Sequence, residues 1–269
     1  MRYYLFGDIH GNSYALERCI DHIHELNIDK IFCLGDVVGW LPFGDRTLES
    51  MRSYGFPTVA GNHDLLVAGL FKDHPNQLDR MQASAFNAGL LSKVEGAFEY
   101  LLNLPLAIVE KDFIVVHHSP FDLPPPGEKP TINCFNYLDR EALLECLESW
   151  RNYDRQIIFS GHDHLPAVYE LPETSGNARI EDVIVHRPPA SGPLVIDMKP
   201  GVRYWVKAGS VGGPYRDGIP MANAVLYDSD AGKITLFRLP WNTDRLRREL
   251  SSQRFFANLD TIRRYLELL

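Results

Sequence analysis

The chain has 269 residues, of which 45% are apolar and 23% charged, with a formal net charge of −8. This length supports one large core or a core with an appendage, and the composition is ordinary for a water-soluble globular protein. No apolar run approaches the ~20 residues that span a bilayer, and an acidic chain without a dense basic run is not expected to carry an extended nucleic-acid surface.

From the N-terminus to residue 159, strand-like apolar runs alternate with helical stretches, the pattern of layered α/β. Residues 3–6, 31–34, 59–60, 113–116 and 157–159 read as strands. A strand that starts at Tyr3 leaves no room for a signal peptide. The first helix begins after Asn12 or Ser13, and Leu16, Cys19, Ile20, Ile23 and Leu26 fall at helical spacing. His22 and His24 lie beside that stripe and are expected to face solvent. Further helices are predicted over residues 79–102, before a turn at Pro105, and over 140–150. Residues 123–127 are a proline-rich extended loop.

The texture changes after His164. Short strands separated by Gly and Pro are predicted at 168–171, 183–186, 194–197, 203–206, 223–227 and 233–237, a meander expected to form a second sheet packed on the first. Tyr204 and Trp205 are expected in the core. Phe255, Leu259, Ile262, Leu266 and Leu269 repeat at helical spacing and predict a C-terminal helix docked on its own domain. Cys19, Cys33, Cys134 and Cys146 form no C-x-x-C pair, so reduced structural thiols in a cytoplasmic protein are expected.

Five short blocks carry the chemistry: Gly7-Asp8-Ile9-His10-Gly11-Asn12, Gly35-Asp36-Val37-Val38-Gly39, Gly61-Asn62-His63-Asp64, Val116-His117-His118 and Gly161-His162-Asp163-His164. Each follows a strand-like run, and strand C-terminal ends are where open α/β sheets build their sites. Together they offer Asp8, His10, Asp36, Asn62, His117, His162 and His164, an oxygen and nitrogen set that suits two hard-to-borderline divalent metals. If the strand continues through these blocks, residues two apart point the same way. Asp8 then pairs with His10 and His162 with His164, while Asp163 and His118 point elsewhere. Gly7, Gly35, Gly61 and Gly161 precede the ligand blocks, where the chain must turn tightly.

In this order the blocks resemble the calcineurin-like metallophosphoesterases, whose pattern runs D-x-H, G-D-x-x, G-N-H-[DE], a strand-end His and G-H-x-H. The motifs cover the chain to His164, and the likeness extends loosely to Asp228 through Gly209-Ser210-Val211-Gly212-Gly213-Pro214. The resemblance implies a four-layer α/β/β/α sandwich of two packed mixed β-sheets, with the metal site at the C-terminal ends of the strands. It implies one domain over 1–269: a metal-binding βα half at 1–164, a β-rich half at 165–240 and a C-terminal helix at 241–269. It also implies two divalent ions, manganese first, with iron, zinc, nickel or cobalt as alternatives. Asp8, His10, Asp36 and His164 would hold one; Asp36, Asn62, His117 and His162 would hold the other, with Asp36 bridging. Two such ions, two carboxylates and a bridging hydroxide leave a first shell of about +1, which attracts an anion even in an acidic protein.

By the same resemblance His63 donates a proton or grips phosphate near the leaving group, a task suited to imidazole. Asp64 either orients His63 or caps the following helix. Where Ser/Thr protein phosphatases carry Asp-Arg after the second block, this chain has Gly39-Trp40. It therefore resembles the bacterial and archaeal branch that includes small phosphodiesterases and dinucleoside-polyphosphate hydrolases. Trp40 stacks a base or packs under its loop. Arg216 grips a phosphate or pairs with Asp217 or another carboxylate. The expected partner is a small phosphate ester, with no membrane. The competing readings are a phosphomonoesterase or protein phosphatase, and a non-catalytic interaction module on the same fold.

Overall fold

The first strand shows why the chain must layer. Tyr3 and Leu5 join one apolar cluster, while Tyr4 and Phe6 join another on the opposite face, so the strand needs cover on both sides. The computed structural model describes residues 1–173 and 176–269. In chain order the elements are β1 (Arg2–Phe6), α1 (Ser13–His24), β2 (Lys30–Cys33), α2 (Gly44–Tyr54), α3 (Asn62–Val67), α4 (Leu78–Leu91), α5 (Ala97–Leu102), β3 (Ala107–Val109), β4 (Phe113–Val116), α6 (Arg140–Arg151), β5 (Ile157–Ser160), β6 (Ala167–Pro172), β7 (Ile184–His186), β8 (Leu194–Asp197), β9 (Val202–Lys207), β10 (Ala222–Asp228), β11 (Lys233–Leu239), α7 (Thr243–Ser252), α8 (Arg254–Ala257) and α9 (Asp260–Leu268).

Two mixed sheets result. One has the order β2-β1-β10-β11-β8, the other β3-β4-β5-β9-β6-β7. Their facing sides share a cluster rich in aromatic residues. At its centre the Phe113 ring lies 5.0 Å from Tyr3, 5.3 Å from Phe159 and 5.9 Å from Tyr227. The outer face of the first sheet packs against α1 and α2, and that of the second against α6 through Leu143, Leu147 and Trp150. The four expected layers are therefore present. Tyr204 and Trp205 are fully buried.

Several expectations need correction. The strands after His164 do not form a sheet of their own: β6, β7 and β9 extend the sheet of β3–β5, while β8, β10 and β11 extend that of β1 and β2. Strand periodicity sets which faces are apolar but not which edge a strand joins. Residues 59–60 make no strand; an isolated bridge from Cys33 to Thr58 stands there. The helix over 79–102 is two helices, broken where Gly96 takes a left-handed conformation. The C-terminal helix is three pieces, bent at Gln253 and Leu259, which buries Phe256 and leaves Phe255 exposed. His22 is buried, with Nδ1 2.8 Å from the Tyr4 hydroxyl and its ring on Phe237; the covered face of α1 is wider than its aliphatic stripe. Helix α2 and strand β3 went unpredicted.

All four cysteines are free, and burial pushes Cys19 up to about 12. No helix among the described residues is long and apolar enough to cross a membrane. Phe113→Ala should lower the free energy of unfolding by about 3–5 kcal/mol, as expected for a large aromatic lost from a packed core. Urea denaturation should show this as a lower midpoint with an unchanged m-value.

Candidate metal centre

The predicted ligands converge where the C-terminal ends of β1 and β2 in one sheet meet those of β4 and β5 in the other. Asp8, His10 and His164 form one group and Asp36, His117 and His162 a second. Within each, ligand atoms lie within 4.8 Å of one another. Asp36 joins the two: its Oδ2 is 3.5 Å from His10 Nε2 and 3.3 Å from His117 Nε2, while Oδ1 accepts a hydrogen bond from the His63 N–H at 2.8 Å. Asn62 Oδ1 lies 3.2 Å from His117 Nε2 and 3.0 Å from His162 Nδ1. All seven residues are buried.

The backbone carries the clearest mark. Among the described residues, the non-glycine positions with positive φ are Asp8, His10, Asp36, His162 and His164, each costing of order 1–3 kcal/mol where the surroundings do not enforce it. The expectation that Asp8 and His10, or His162 and His164, align by extended-strand alternation is therefore incorrect. The chain has left the strands and turns left-handed at Asp8, His10, Asp36, His162 and His164, and these turns aim the two pairs inward. Hydrogen bonds between loops hold the strained backbone in place: Asp8 N–H to Gly35 O, His10 N–H to Asp36 O, and Gly212 N–H to Asp8 O, all 2.8–2.9 Å. Gly61 and Gly161 are required by close approach. A Cβ on either would drive into the carboxylate of Asp36 or Asp8, respectively.

Ring orientation is fixed from outside. His117 Nδ1–H donates to Leu34 O at 2.6 Å and His164 Nδ1–H to Pro214 O at 2.9 Å. Because a carbonyl only accepts, Nε2 is the nitrogen that each ring turns inward, the usual arrangement of a metal-binding imidazole. Burial opposes charge on Asp36, but His117, His63 and His10 outweigh it and hold the carboxyl well below the usual range. Burial pulls His117 down, yet Asp36 prevails and leaves it at about 9. Burial keeps His10 and His162 neutral by lowering both well below the ordinary value. Two buried carboxylates draw positive charge from a histidine, and the oxygen and nitrogen donors around them fit divalent cations of the first transition row.

The matched region covers the whole centre: the model of the calcineurin-like phosphoesterase family matches residues 1–205. The chain belongs to the calcineurin-like phosphoesterases. It is a metal-dependent phosphoesterase, and the family uses divalent metals. An uncharacterized protein of Methanocaldococcus jannaschii is 29% identical over 242 residues, covering 88% of this chain and 87% of its own. A metallophosphoesterase from Sphaerobacter thermophilus is 25% identical with a TM-score of 0.76, each chain covered in full. A hypothetical protein from Pyrococcus horikoshii shares the fold, with a TM-score of 0.65 at 17% identity over 97% of this chain and 96% of that one.

A cavity of about 330 Å3 opens over this phosphoesterase centre and reaches His63, Trp40 and Arg216. His63 packs against His10, ring centroids 4.5 Å apart. Its Nδ1 lies unpartnered against Gly39, which leaves Nε2 to face the cavity. Burial lowers His63 to about 4. Asp64 does not reach His63. Its carboxylate accepts from the N–H groups of Gly61 and Val38 at 3.0 and 3.1 Å, so it caps α3 and ties two ligand loops together. Trp40 lines the cavity but is buried edge-to-face on Tyr265. Arg216 is exposed; its Nη2 donates to the Tyr137 hydroxyl at 2.6 Å, and Asp217 pairs instead with Arg238. Asp163 points away from the centre to a buried ion pair with Lys207. Sequence reasoning missed Arg80 and Tyr137, which also line the cavity. Neither lies in a ligand block, and no spacing marks them.

Two outcomes follow for metal binding. His118 turns away to Asp122, its Nε2 3.1 Å from the carboxylate, so His117→Ala should lose metal by elemental analysis while His118→Ala keeps it. Because His117 holds its proton up to about 9, metal loading at neutral pH must expel it, a group with a raised pKa being protonated below that value. Calorimetry in buffers of different ionisation heat should show release of about one proton at neutral pH, fading as the pH passes 9.

Proposed function

We propose that the chain hydrolyses a small phosphodiester or dinucleoside polyphosphate in the cytoplasm, at a dinuclear centre that takes manganese first. The observation that supports this most is Asp36 between the two ligand groups, with one oxygen fixed by the His63 N–H and the other facing His10 and His117. One carboxylate so placed suits a bridge. Asp8, His10 and His164 would complete one site; Asn62, His117 and His162 the other. When bound, two divalent ions lower the pKa of a shared water toward ~7 and clamp phosphoryl oxygens.

The chain's own residues supply the rest. His63 lines the cavity and packs on His10, and its Nε2 is the candidate to hand a proton to the leaving oxygen. Burial keeps it neutral in the empty cavity, and a phosphate beside it adds negative charge that raises its pKa toward the working range. Buried Trp40 and the left-handed ligand loops exclude water from the floor, which strengthens every charge interaction there. A cavity of about 330 Å3 is at the low end for small-molecule sites, which favours a small ester over a phosphoprotein surface.

Chelation should abolish turnover of bis-p-nitrophenyl phosphate and diadenosine tetraphosphate, and Mn²⁺, Co²⁺ or Ni²⁺ should restore it. Full activity in metal-free protein, or a phosphopeptide preferred over every diester, would sink the proposal. Asp36→Asn should lose metal and activity together. His63→Ala should keep metal and lose turnover by ~10²–10⁴-fold, the usual worth of a general acid, and less for esters with good leaving groups. Metal loss in His63→Ala would instead assign His63 to the third possible ligand group, His10, Asp36 and His63.

A further inference from the structure

The cavity has a second pair of cationic groups that no ligand motif accounts for. Arg80 stands in the first turn of α4, on the wall beside His63. Its side chain is 18% exposed, and the buried Asp73 carboxylate takes both Nε and Nη2. That two-point grip fixes the guanidinium plane and leaves Nη1 without a protein partner among the described residues. Arg80 is close enough to His63 for its charge to depress the imidazole's pKa.

The same cavity is also lined by Arg216. Its guanidinium lies 4.3 Å over the Tyr137 ring, and the ring stacks on His162 at 5.0 Å and 20°. Both faces of Tyr137 are therefore taken, one by His162 and one by Arg216, so it cannot stack a base. It acts as a bracket that holds Arg216 above the His162 side of the centre. The two arginines thus come from a helix and a loop, are each held by a partner, and line the same cavity as candidate ligands His10, Asp36, Asn62, His162 and His164. An arginine held in a fixed plane suits planar, two-point recognition of phosphate oxygens.

We propose that Arg80 and the Tyr137-held Arg216 form a clamp for the non-reacting phosphoryl groups of a phosphoanhydride. The preferred substrate then carries at least two linked phosphates, one at the metals and its neighbours on the arginines. Arg80 thereby takes the place of the arginine that Gly39-Trp40 lacks. This inference rests on the proposed phosphoesterase reading of the same site and narrows its substrate class.

The test compares ligands with one and two phosphates on the metal-loaded full chain. Arg80→Ala should weaken pyrophosphate binding by about tenfold or more, as for a lost charge-assisted contact, and leave inorganic phosphate binding and metal content unchanged. In turnover it should raise KM for diadenosine tetraphosphate by a clearly larger factor than KM for bis-p-nitrophenyl phosphate. Tyr137→Phe, which removes only the hydroxyl, should move KM in the same direction by less. Because Arg80→Ala strands a buried carboxylate, the pair Asp73→Asn with Arg80→Gln provides a second variant that leaves no unpaired charge. Equal losses for phosphate and pyrophosphate in these variants, or none for either, would overturn the clamp. Arg80-dependent pyrophosphate binding in a protein that hydrolyses no ester would uphold the clamp and sink the proposed activity instead.

Discussion

The structure depends on burying two carboxylates, Asp8 and Asp36, together at one centre. An ion buried alone is too costly to retain, so everything nearby is arranged to stabilise the pair. The Asp8 carboxylate accepts the His162 N–H, and Asp36 accepts the His63 N–H. Histidines surround both, and Asp36 is held ionised by them. The left-handed turns at five ligand positions bring these groups close enough to act together, and Gly61 and Gly161 leave room for the carboxylates. Strain in the loops and charge in the core are two sides of one arrangement, and a divalent cation relieves the second.

This arrangement is supported from a distance. Helices α7 to α9 do not simply cover the domain. Buried Tyr265 donates its hydroxyl to Gly212 O and packs on both Trp40 and Tyr215. Gly212 in turn donates its N–H to Asp8 O. The C-terminal segment therefore buttresses the loop that carries the first ligand, although it lies beyond the matched family region. On the far side, the buried Lys207 and Asp163 pair anchors the G-H-x-H turn between its two histidines. The four-layer sandwich sets the coarse geometry, since ligands from four strand ends meet only when two sheets face each other.

The rival functions differ in what they would require. A protein phosphatase must admit a folded partner, and the cavity over this centre is lined by Arg80 and Arg216. A non-catalytic module has no use for strained ligand loops, and strain of this kind persists only where the surroundings enforce it. The retained strain and the inward-facing Nε2 atoms of His117 and His164 both favour chemistry over scaffolding.

The sequence by itself marked the candidate ligands, their order and, for most of them, a place just past strand ends, because D-x-H, G-N-H-D and G-H-x-H are local patterns tied to local turns. It also marked the first strand, since residues 3–6 are an unbroken apolar run, but which side chain joins which cluster was decided by the fold. It could not assign β6 to β11 to their sheets, because edge pairing is decided by which partner is free once the first strands have docked. It misjudged how the ligands are aimed, because a left-handed turn at a histidine is imposed by hydrogen bonds from other loops and leaves no mark in composition. It left open whether Asp64 serves His63 or the backbone, and the positions of the Gly61 and Val38 N–H groups settled that for the backbone. Arg80, Tyr137 and Arg216 lie far apart in the chain and meet only over the cavity, so their association was decided by tertiary packing alone: contacts across such separations depend on the path of the whole chain, not on any window of it.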